Sequence, residues 1–244
     1  MRKGRTDVML EVADLVKHYD VGDEAVRAVD GVSLCIEAGE MVALYGPSGS
    51  GKSTLIDLIA GFQSPDSGTV VVDGRNIRSF SEAEEADYLR LTVGIIGQPQ
   101  ELMPSATARD NACLKLLRDH PRDAPRLIEP LLLALGLGDR LDQPARKLSM
   151  GERQRVMVAQ ALSTGPKLVL ADEPTGSLDT RRSRDVLGLI KQLCRERDVA
   201  VLLATHDPQA VAFADRAYEL RDGHLHDYKP EKLYLRAIRE GVSP

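Results

Sequence analysis

Cysteine is scarce in this sequence. Cys35, Cys113 and Cys194 stand far apart, with no Cys-x-x-Cys pair and no neighbouring histidine pair, so their spacing suggests neither a zinc cluster nor a disulfide framework. They read as small buried hydrophobes of a reducing compartment. Long apolar runs are also missing. The best, such as residues 199–204, have the length of a strand, against the roughly 18–20 apolar residues that a membrane span needs. Any membrane role is therefore expected to come from a partner. Arg2, Lys3 and Arg5 make a basic start, but only Val8, Met9 and Leu10 follow before Glu11, too little for an export signal, and the protein is expected to stay inside the cell. A broad excess of positive charge is absent too: 32 Lys+Arg face 37 Asp+Glu, a formal net charge of −5. Without a positive field to track a phosphate backbone, nucleic acid is not expected as a partner.

What remains is the composition of one α/β domain. The 244 residues are 43% hydrophobic and 28% charged, enough to bury a sizeable core. Alternating apolar and polar residues over 8–16 and 25–36, with Val21-Gly22-Asp23 between them, predict paired antiparallel strands. The short apolar run 41–45 predicts a doubly covered parallel strand, followed by a glycine-rich turn and a helix over 53–60. A small hairpin is expected around 68–77 and a buried strand over 92–96. From Pro99 to Lys147, prolines punctuate helix-period stretches, which predicts a mostly helical insertion. The pattern then resumes: helix 151–162, strand 168–171, helix 181–195, strand 200–204, implying right-handed parallel crossovers. A final hairpin is expected across Arg221-Asp222-Gly223, with His224 and His226 facing solvent, and a short amphipathic helix over 230–240.

The turn after the first parallel strand reads Gly46-Pro47-Ser48-Gly49-Ser50-Gly51-Lys52-Ser53, followed by Thr54. This is a complete phosphate-binding loop in its required context of strand before and helix after. Glycines let backbone N–H groups turn toward anionic oxygens, and the helix adds its positive dipole end. Lys52 would reach the β and γ phosphates, and the Ser53 hydroxyl suits one position on Mg²⁺. The strand ending in Asp172-Glu173 brings two carboxylates to the edge of a parallel sheet where ligands bind. Asp172 would hold Mg²⁺, and Glu173 would orient and deprotonate an attacking water. The only asparagines, Asn76 and Asn111, do not open the Asn-Lys-x-Asp sequence that reads guanine, so guanine specificity is not supported.

Three further segments narrow the class: Leu148-Ser149-Met150-Gly151-Glu152-Arg153-Gln154-Arg155, Asp172-Glu173-Pro174-Thr175-Gly176-Ser177-Leu178-Asp179 and Ala204-Thr205-His206-Asp207. With Gln98 and the phosphate loop, they resemble the ATP-binding cassette (ABC) family of ATPases over nearly the whole chain. The resemblance implies an α/β P-loop NTPase core (8–98 and 149–226) with an antiparallel β subdomain, an inserted α-helical subdomain (99–148) and a C-terminal extension (227–244). It also implies that Tyr19 stacks on adenine, that Gln98 senses Mg²⁺ and the attacking water, and that His206 touches the γ-phosphate. Ser149 and Gly151 would address ATP held by a second subunit, with Asp179 coupling the two sites. ATP then glues two cassettes together, and hydrolysis releases them. Motion of the helical insertion would do work on a separately encoded membrane permease, the protein lying peripherally on the cytoplasmic face.

The run 171–179 looks like the lipoprotein-release and macrolide-export branch. Two other readings are a non-transport cassette driving a membrane signalling or cell-wall-controlling complex, and a soluble cassette acting on DNA or ribosomes. Lack of a long coiled-coil insertion, a second cassette or a basic surface speaks against the last. Two residues depart from the family pattern: Met150 replaces the first of two adjacent glycines, and Gly97 replaces an aromatic before Gln98. A methionine there would make positive φ costly and restrict close approach, weakening activation across the dimer. Arg181, Arg182 and Arg184 read as a solvated helix face.

Overall fold

The computed structural model describes residues 8–21, 24–97, 102–176 and 178–228. The expected turn at Gly22-Asp23, the site residue Gln98 and the helix over 230–240 lie outside the described residues. In chain order the strands are β1 (Val8–Val21), β2 (Glu24–Glu37), β3 (Met41–Tyr45), β4 (Ser67–Val72), β5 (Arg75–Asn76), β6 (Val93–Ile96), β7 (Leu168–Asp172), β8 (Ala200–Thr205), β9 (Arg216–Arg221) and β10 (His224–Asp227). The helices are α1 (Lys52–Ala60), α2 (Glu82–Asp87), α3 (Ala108–Ala112), α4 (Ala124–Ala134), α5 (Met150–Leu162), α6 (Thr180–Glu196) and α7 (Pro208–Val211). A four-stranded antiparallel sheet runs β2-β1-β4-β5, and a six-stranded sheet runs β10-β9-β3-β8-β7-β6. In the latter, β9, β3, β8, β7 and β6 are parallel and β10 pairs antiparallel with β9.

Strand periodicity of two divides the interior into two cores. Along β7, Leu168 and Leu170 face one side, together with Ala200, Leu202 and Ala204 of β8, α1 and the antiparallel sheet. Val169 and Ala171, with Val201 and Leu203, face the other side, toward α5, α6 and the helical segment 102–148. The parallel strands are thus covered on both faces, which explains their unbroken apolar runs. The helical segment shares its hydrophobic cluster with α5 and α6, so burial binds it to the sheet.

Several local readings are corrected by the structure. In β1 the buried residues are Leu10, Val12 and then Leu15, because register shifts follow Val12 around Asp14, which has φ 46°. A β-bulge there changes the phase of alternation; the Ser33 hydroxyl accepts the Asp14 N–H at 2.9 Å. The hairpin expected over 68–77 is only a two-residue pairing of β4 with β5, and Ile77 opens a 3₁₀ turn, Ile77–Ser79. α2 was not anticipated; Ser81 starts it with a capping box to Glu84. Pro130 lies inside α4 rather than between helices. Cys113 and Cys194 are buried as expected, but Cys35 is exposed, on the outward phase of β2. His224 and His226 face solvent as read, and Arg181, Arg182 and Arg184 are all exposed on α6.

One ionic strut ties the helical segment to the sheet. The Lys115 ammonium donates to the carbonyls of Leu89 and Val93, both at 2.9 Å, and burial pushes its pKa down from 10.5 to about 8. Between those values the unfolded chain holds a proton that the folded chain lacks, so this group makes stability rise with pH. Chemical denaturation of the parent and of Lys115→Met at pH 7.5 and pH 10 should show the parent gaining about 1 kcal/mol or more on the variant over that window. A constant difference would rule out a depressed Lys115.

Candidate functional site

Strands β3, β7 and β8 end side by side, and the expected site residues gather at that edge. The Gly46 N–H donates to the Thr205 carbonyl at 3.3 Å, and the Glu173 N–H donates to the Ala204 carbonyl at 3.0 Å. Backbone hydrogen bonds therefore lock the phosphate loop, the acidic pair and the histidine into one frame. The loop has little freedom. A Cβ on Gly46 would lie 2.4 Å from the Leu220 carbonyl oxygen of β9, and one on Gly51 would lie 1.9 Å from the Ala28 carbonyl oxygen of β2. Gly51 also has φ 101°, which L side chains rarely adopt. Pro47, Ser48 and Gly49 are exposed at the rim, Ser50 is buried, and Ser53 and Thr54 open the first turn of α1. Gly51 caps that helix without a side-chain hydrogen bond, and its first turn has no acidic residue, leaving N–H groups for an anion.

Lys52 is only 6% exposed, and its ammonium donates to the carbonyls of Gly46 at 2.8 Å and Pro47 at 3.0 Å. Burial pushes its pKa down, while Glu173 and Asp172 act in the opposite sense. Glu173 Oε1 lies 3.9 Å from Lys52 Nζ and 2.8 Å from His206 Nδ1. Glu173 has φ 48°, so the chain turns sharply as β7 ends at Asp172, and the two adjacent carboxylates enter different surroundings. His206 is exposed beyond the buried Thr205, whose hydroxyl accepts the Asp207 N–H at 3.0 Å. Glu173, Thr175, Thr205 and His206 are among the residues that line a groove of about 290 Å³.

Asp172 Oδ1 is buried and has no hydrogen-bond partner among the described residues. A buried carboxylate oxygen without a donor is costly and calls for a cation. Asp172 and Ser53 both offer oxygen donors, the chemistry that suits a hard divalent cation such as Mg²⁺. Gln98 falls outside the described residues, but the neighbouring Gly97 carbonyl accepts from the buried Gln154 side chain of α5 at 3.5 Å.

Ser149 is the N-cap of α5. Its hydroxyl accepts the Glu152 N–H at 3.3 Å, and Glu152 accepts the Ser149 N–H at 2.7 Å and the Arg140 guanidinium at 2.8 Å. Burial pushes the Glu152 pKa up, yet these hydrogen bonds outweigh it and leave the carboxyl lowered. Met150 is the first helical residue and is not among the positive-φ positions. The expected backbone penalty is therefore absent, because an N1 position accepts any L residue with a helical φ; only side-chain bulk remains. Gly151 is buried, but a Cβ there would meet Arg182 at an ordinary 3.5 Å and Leu178 at 4.0 Å. Asp179 caps α6 by accepting the Arg182 N–H at 3.0 Å. The starts of α5 and α6 thus adjoin. Among the described residues, no hydrogen bond or ion pair joins Ser149, Gly151 or Asp179 to the phosphate loop of the same chain.

Tyr19 lies half-buried on β1 opposite Val26 of β2. Its hydroxyl donates to Gln63, in the turn that follows α1. Sequence spacing did not point to the carbonyls of Ala28 and Leu220, which confine the loop; backbone acceptors carry no residue signature.

The ABC transporter family profile matches residues 29–176. The macrolide export ATP-binding/permease protein MacB of Rhodopirellula baltica is 40% identical over 223 residues, covering 88% of this chain and 32% of MacB. The chain thus spans about a third of that relative. The lipoprotein-releasing system ATP-binding protein LolD of Shewanella frigidimarina is 38% identical over 219 residues, covering 89% of this chain and 92% of LolD. Among solved structures, a dimeric post-hydrolysis state of the ATP-binding cassette MJ0796 bound to ADP and Pi superposes with a TM-score of 0.81 at 30% identity, over 91% of this chain and 99% of that one.

The crowding around the loop is open to test. Gly49 has φ 80° but open space around it, so Gly49→Ala should cost about 1–2 kcal/mol of strain. Gly51→Ala adds a clash with a strand carbonyl and should lower the melting temperature much further and abolish nucleotide binding. Equal thermal shifts for the two variants would contradict the confinement.

Proposed function

Because the chain belongs to the ABC transporter family, we propose that it is the ATP-binding and ATP-hydrolysing subunit of an ABC transporter, working as a dimer around two ATP molecules. The observation that carries the chemistry is the contact set of Glu173, with Lys52 on one side and His206 on the other, beside a phosphate loop of fixed shape.

In this reading the N–H groups of residues 46–53 and the dipole of α1 receive the β and γ phosphates. Lys52 exchanges the carbonyls of its own loop for phosphate oxygens, which a partly desolvated ammonium strongly prefers. Tyr19 offers its ring to adenine. Asp172, Ser53 and Gln98 would hold Mg²⁺, which when bound neutralises charge on the β and γ oxygens. Glu173, held by His206 at one oxygen, orients a water and takes its proton as the water oxygen bonds to the γ-phosphorus. The bond from that phosphorus to the β–γ bridging oxygen breaks, ADP carries away the electron pair, and phosphate is released. His206 also touches the γ-phosphate. Ser149 and the Gly151 N–H face the triphosphate of the other protomer, and Asp179 couples the two sites.

No helix among the described residues is long and apolar enough to cross a membrane. We infer a separately encoded permease as partner, with the cassette held peripherally at its cytoplasmic face and the helical insertion, bounded near 99–148, transmitting the motion. The likeness to MacB and LolD supports the macrolide-export and lipoprotein-release branch, in which the membrane component chooses the cargo. Affinity capture from detergent-solubilised membranes should recover a polytopic protein; recovery of ribosomes or nucleic acid instead would reject this assignment.

Two experiments address the shared site. Glu173→Gln should lose at least about 10²-fold in turnover and elute as an ATP-bound dimer, while Lys52→Ala should fail to bind nucleotide. A monomeric Glu173→Gln protein at saturating Mg-ATP would refute shared catalysis. Met150→Gly should raise cooperative turnover by relieving bulk at the start of α5; an unchanged rate in a folded variant would show that methionine does not obstruct the contact.

A further inference from the structure

The ribbon that carries Tyr19 has weak support of its own. β4 pairs with β1 only as far as Val16 opposite Ser67, so beyond that point β1 and β2 form a two-stranded ribbon; the Ala28 and Arg27 carbonyls of β2 pack against Gly51 and Gly223, but Tyr19 and Val26 lie past them. Such a ribbon is marginally stable in water, yet a stacking platform must be rigid if it is to add affinity. Beyond those backbone contacts, the turn that follows α1 braces the ribbon.

Asp66 accepts the His18 N–H at 2.7 Å and the Lys17 ammonium at 3.1 Å, and the Asp66 N–H donates to the Val16 carbonyl at 2.8 Å. Lys17 in turn lies 5.4 Å from the centre of the Tyr19 ring. The Tyr19 hydroxyl donates to Gln63 Oε1, and Gln63 Nε2 donates to Asp57 Oδ2 at 3.0 Å. The direction of this chain is fixed by chemistry. An ionised Asp57 only accepts, so the amide must turn its NH₂ toward Asp57 and its oxygen toward Tyr19. Asp57 belongs to α1, whose first residues are Lys52 and Ser53. The two ends of the site are therefore braced through one helix.

We propose that Gln63 is a positioning residue for ATP, a relay from Asp57 that holds the Tyr19 ring in the orientation that receives adenine. The inference rests on the stacking role proposed for Tyr19. It places Gln63 outside the chemistry: the residue sets affinity for the base without touching the reacting phosphate.

The test compares Gln63→Leu, Tyr19→Phe, the double variant and Tyr19→Ala, with melting temperatures measured alongside. Gln63→Leu should raise the KM for ATP about 5–10-fold with kcat within about twofold. Tyr19→Phe, which keeps the ring and loses the tether, should match it, and the double variant should be no worse than either single one. Inorganic tripolyphosphate, which has no base, should inhibit the parent and Gln63→Leu with the same constant. Equal weakening of ATP and tripolyphosphate would overturn the proposal, since Gln63 would then be acting on the phosphate end or on folding. If Tyr19→Ala raises KM but Gln63→Leu does not, stacking stands and the relay falls; if Tyr19→Ala leaves KM unchanged, the stacking role fails and takes the relay with it.

Discussion

The site depends on the confinement of the phosphate loop between two strand carbonyls, Leu220 against Gly46 and Ala28 against Gly51. These carbonyls come from different sheets, so the loop occupies the seam where the antiparallel and parallel sheets meet. The same seam is closed a few residues away, where the Asp30 N–H donates to the Gly223 carbonyl at 2.8 Å and His224 Nδ1 approaches the Asp30 carbonyl at 2.9 Å. A Cβ on Gly223 would come within 2.4 Å of the Arg27 carbonyl oxygen. Glycine is therefore required on both sides of one packed joint, and the loop's shape follows from sheet packing as much as from its own sequence. Its donors are set before an anion arrives, which is the condition for electrostatic stabilisation without reorganisation.

That preorganisation leaves two polar groups poorly served. Lys52 is buried against its own carbonyls with its charge disfavoured by burial, and Asp172 keeps a buried oxygen without a donor among the described residues. Each is a local expense that folding alone would remove, and the magnesium–triphosphate ligand proposed above would answer both. In that proposal the lysine would meet phosphate oxygens, and the aspartate would meet the cation. Glu173 completes the arrangement at a positive φ of 48°, a conformation that places its carboxylate between Lys52 and His206. Strain and unmet polarity gather where the ligand's charges will be.

The phosphate loop could be read from the sequence because one short contiguous run encodes it, and the acidic pair because an apolar strand leads straight into it. The helical and strand segments of the parallel sheet were legible for the same reason: their periodicity is uninterrupted. Reading failed where contacts distant in sequence decide. The bulge at Asp14 shifts the phase of β1 through Ser33, nineteen residues away, and the alternation of apolar residues gives no hint of it. Asn111 entered the sequence reading only as a residue unable to read guanine. In the fold it is fully buried, accepting the Met103 N–H at 2.8 Å and donating to the Thr107 carbonyl at 2.9 Å, so it holds the loop leading into α3. Lys115 carries no sequence signal that sets it apart, yet its ammonium is a strut to two backbone carbonyls. The backbone strain expected at Met150 vanished because that residue starts a helix.

Gly151 bears on why one chain is insufficient. Most tight glycines in this protein answer to their own chain, as Gly46, Gly51, Gly68 and Gly94 do, each with a strand, loop or helix carbonyl within 2.5 Å of a hypothetical Cβ. Gly151 does not: its nearest neighbours would be side-chain atoms at 3.5 Å and beyond, and its backbone is helical. Helix propensity disfavours glycine by about 1 kcal/mol relative to alanine. Among the described residues no tight contact at the Cβ position of Gly151 requires glycine, and in the proposed shared site a phosphate would closely approach the N–H groups at the start of α5. The Ser149 capping box, anchored by Glu152 and Arg140, keeps that helix start in shape. The room at Gly151 is compatible with the proposal above, in which a triphosphate held by a second copy approaches the start of α5.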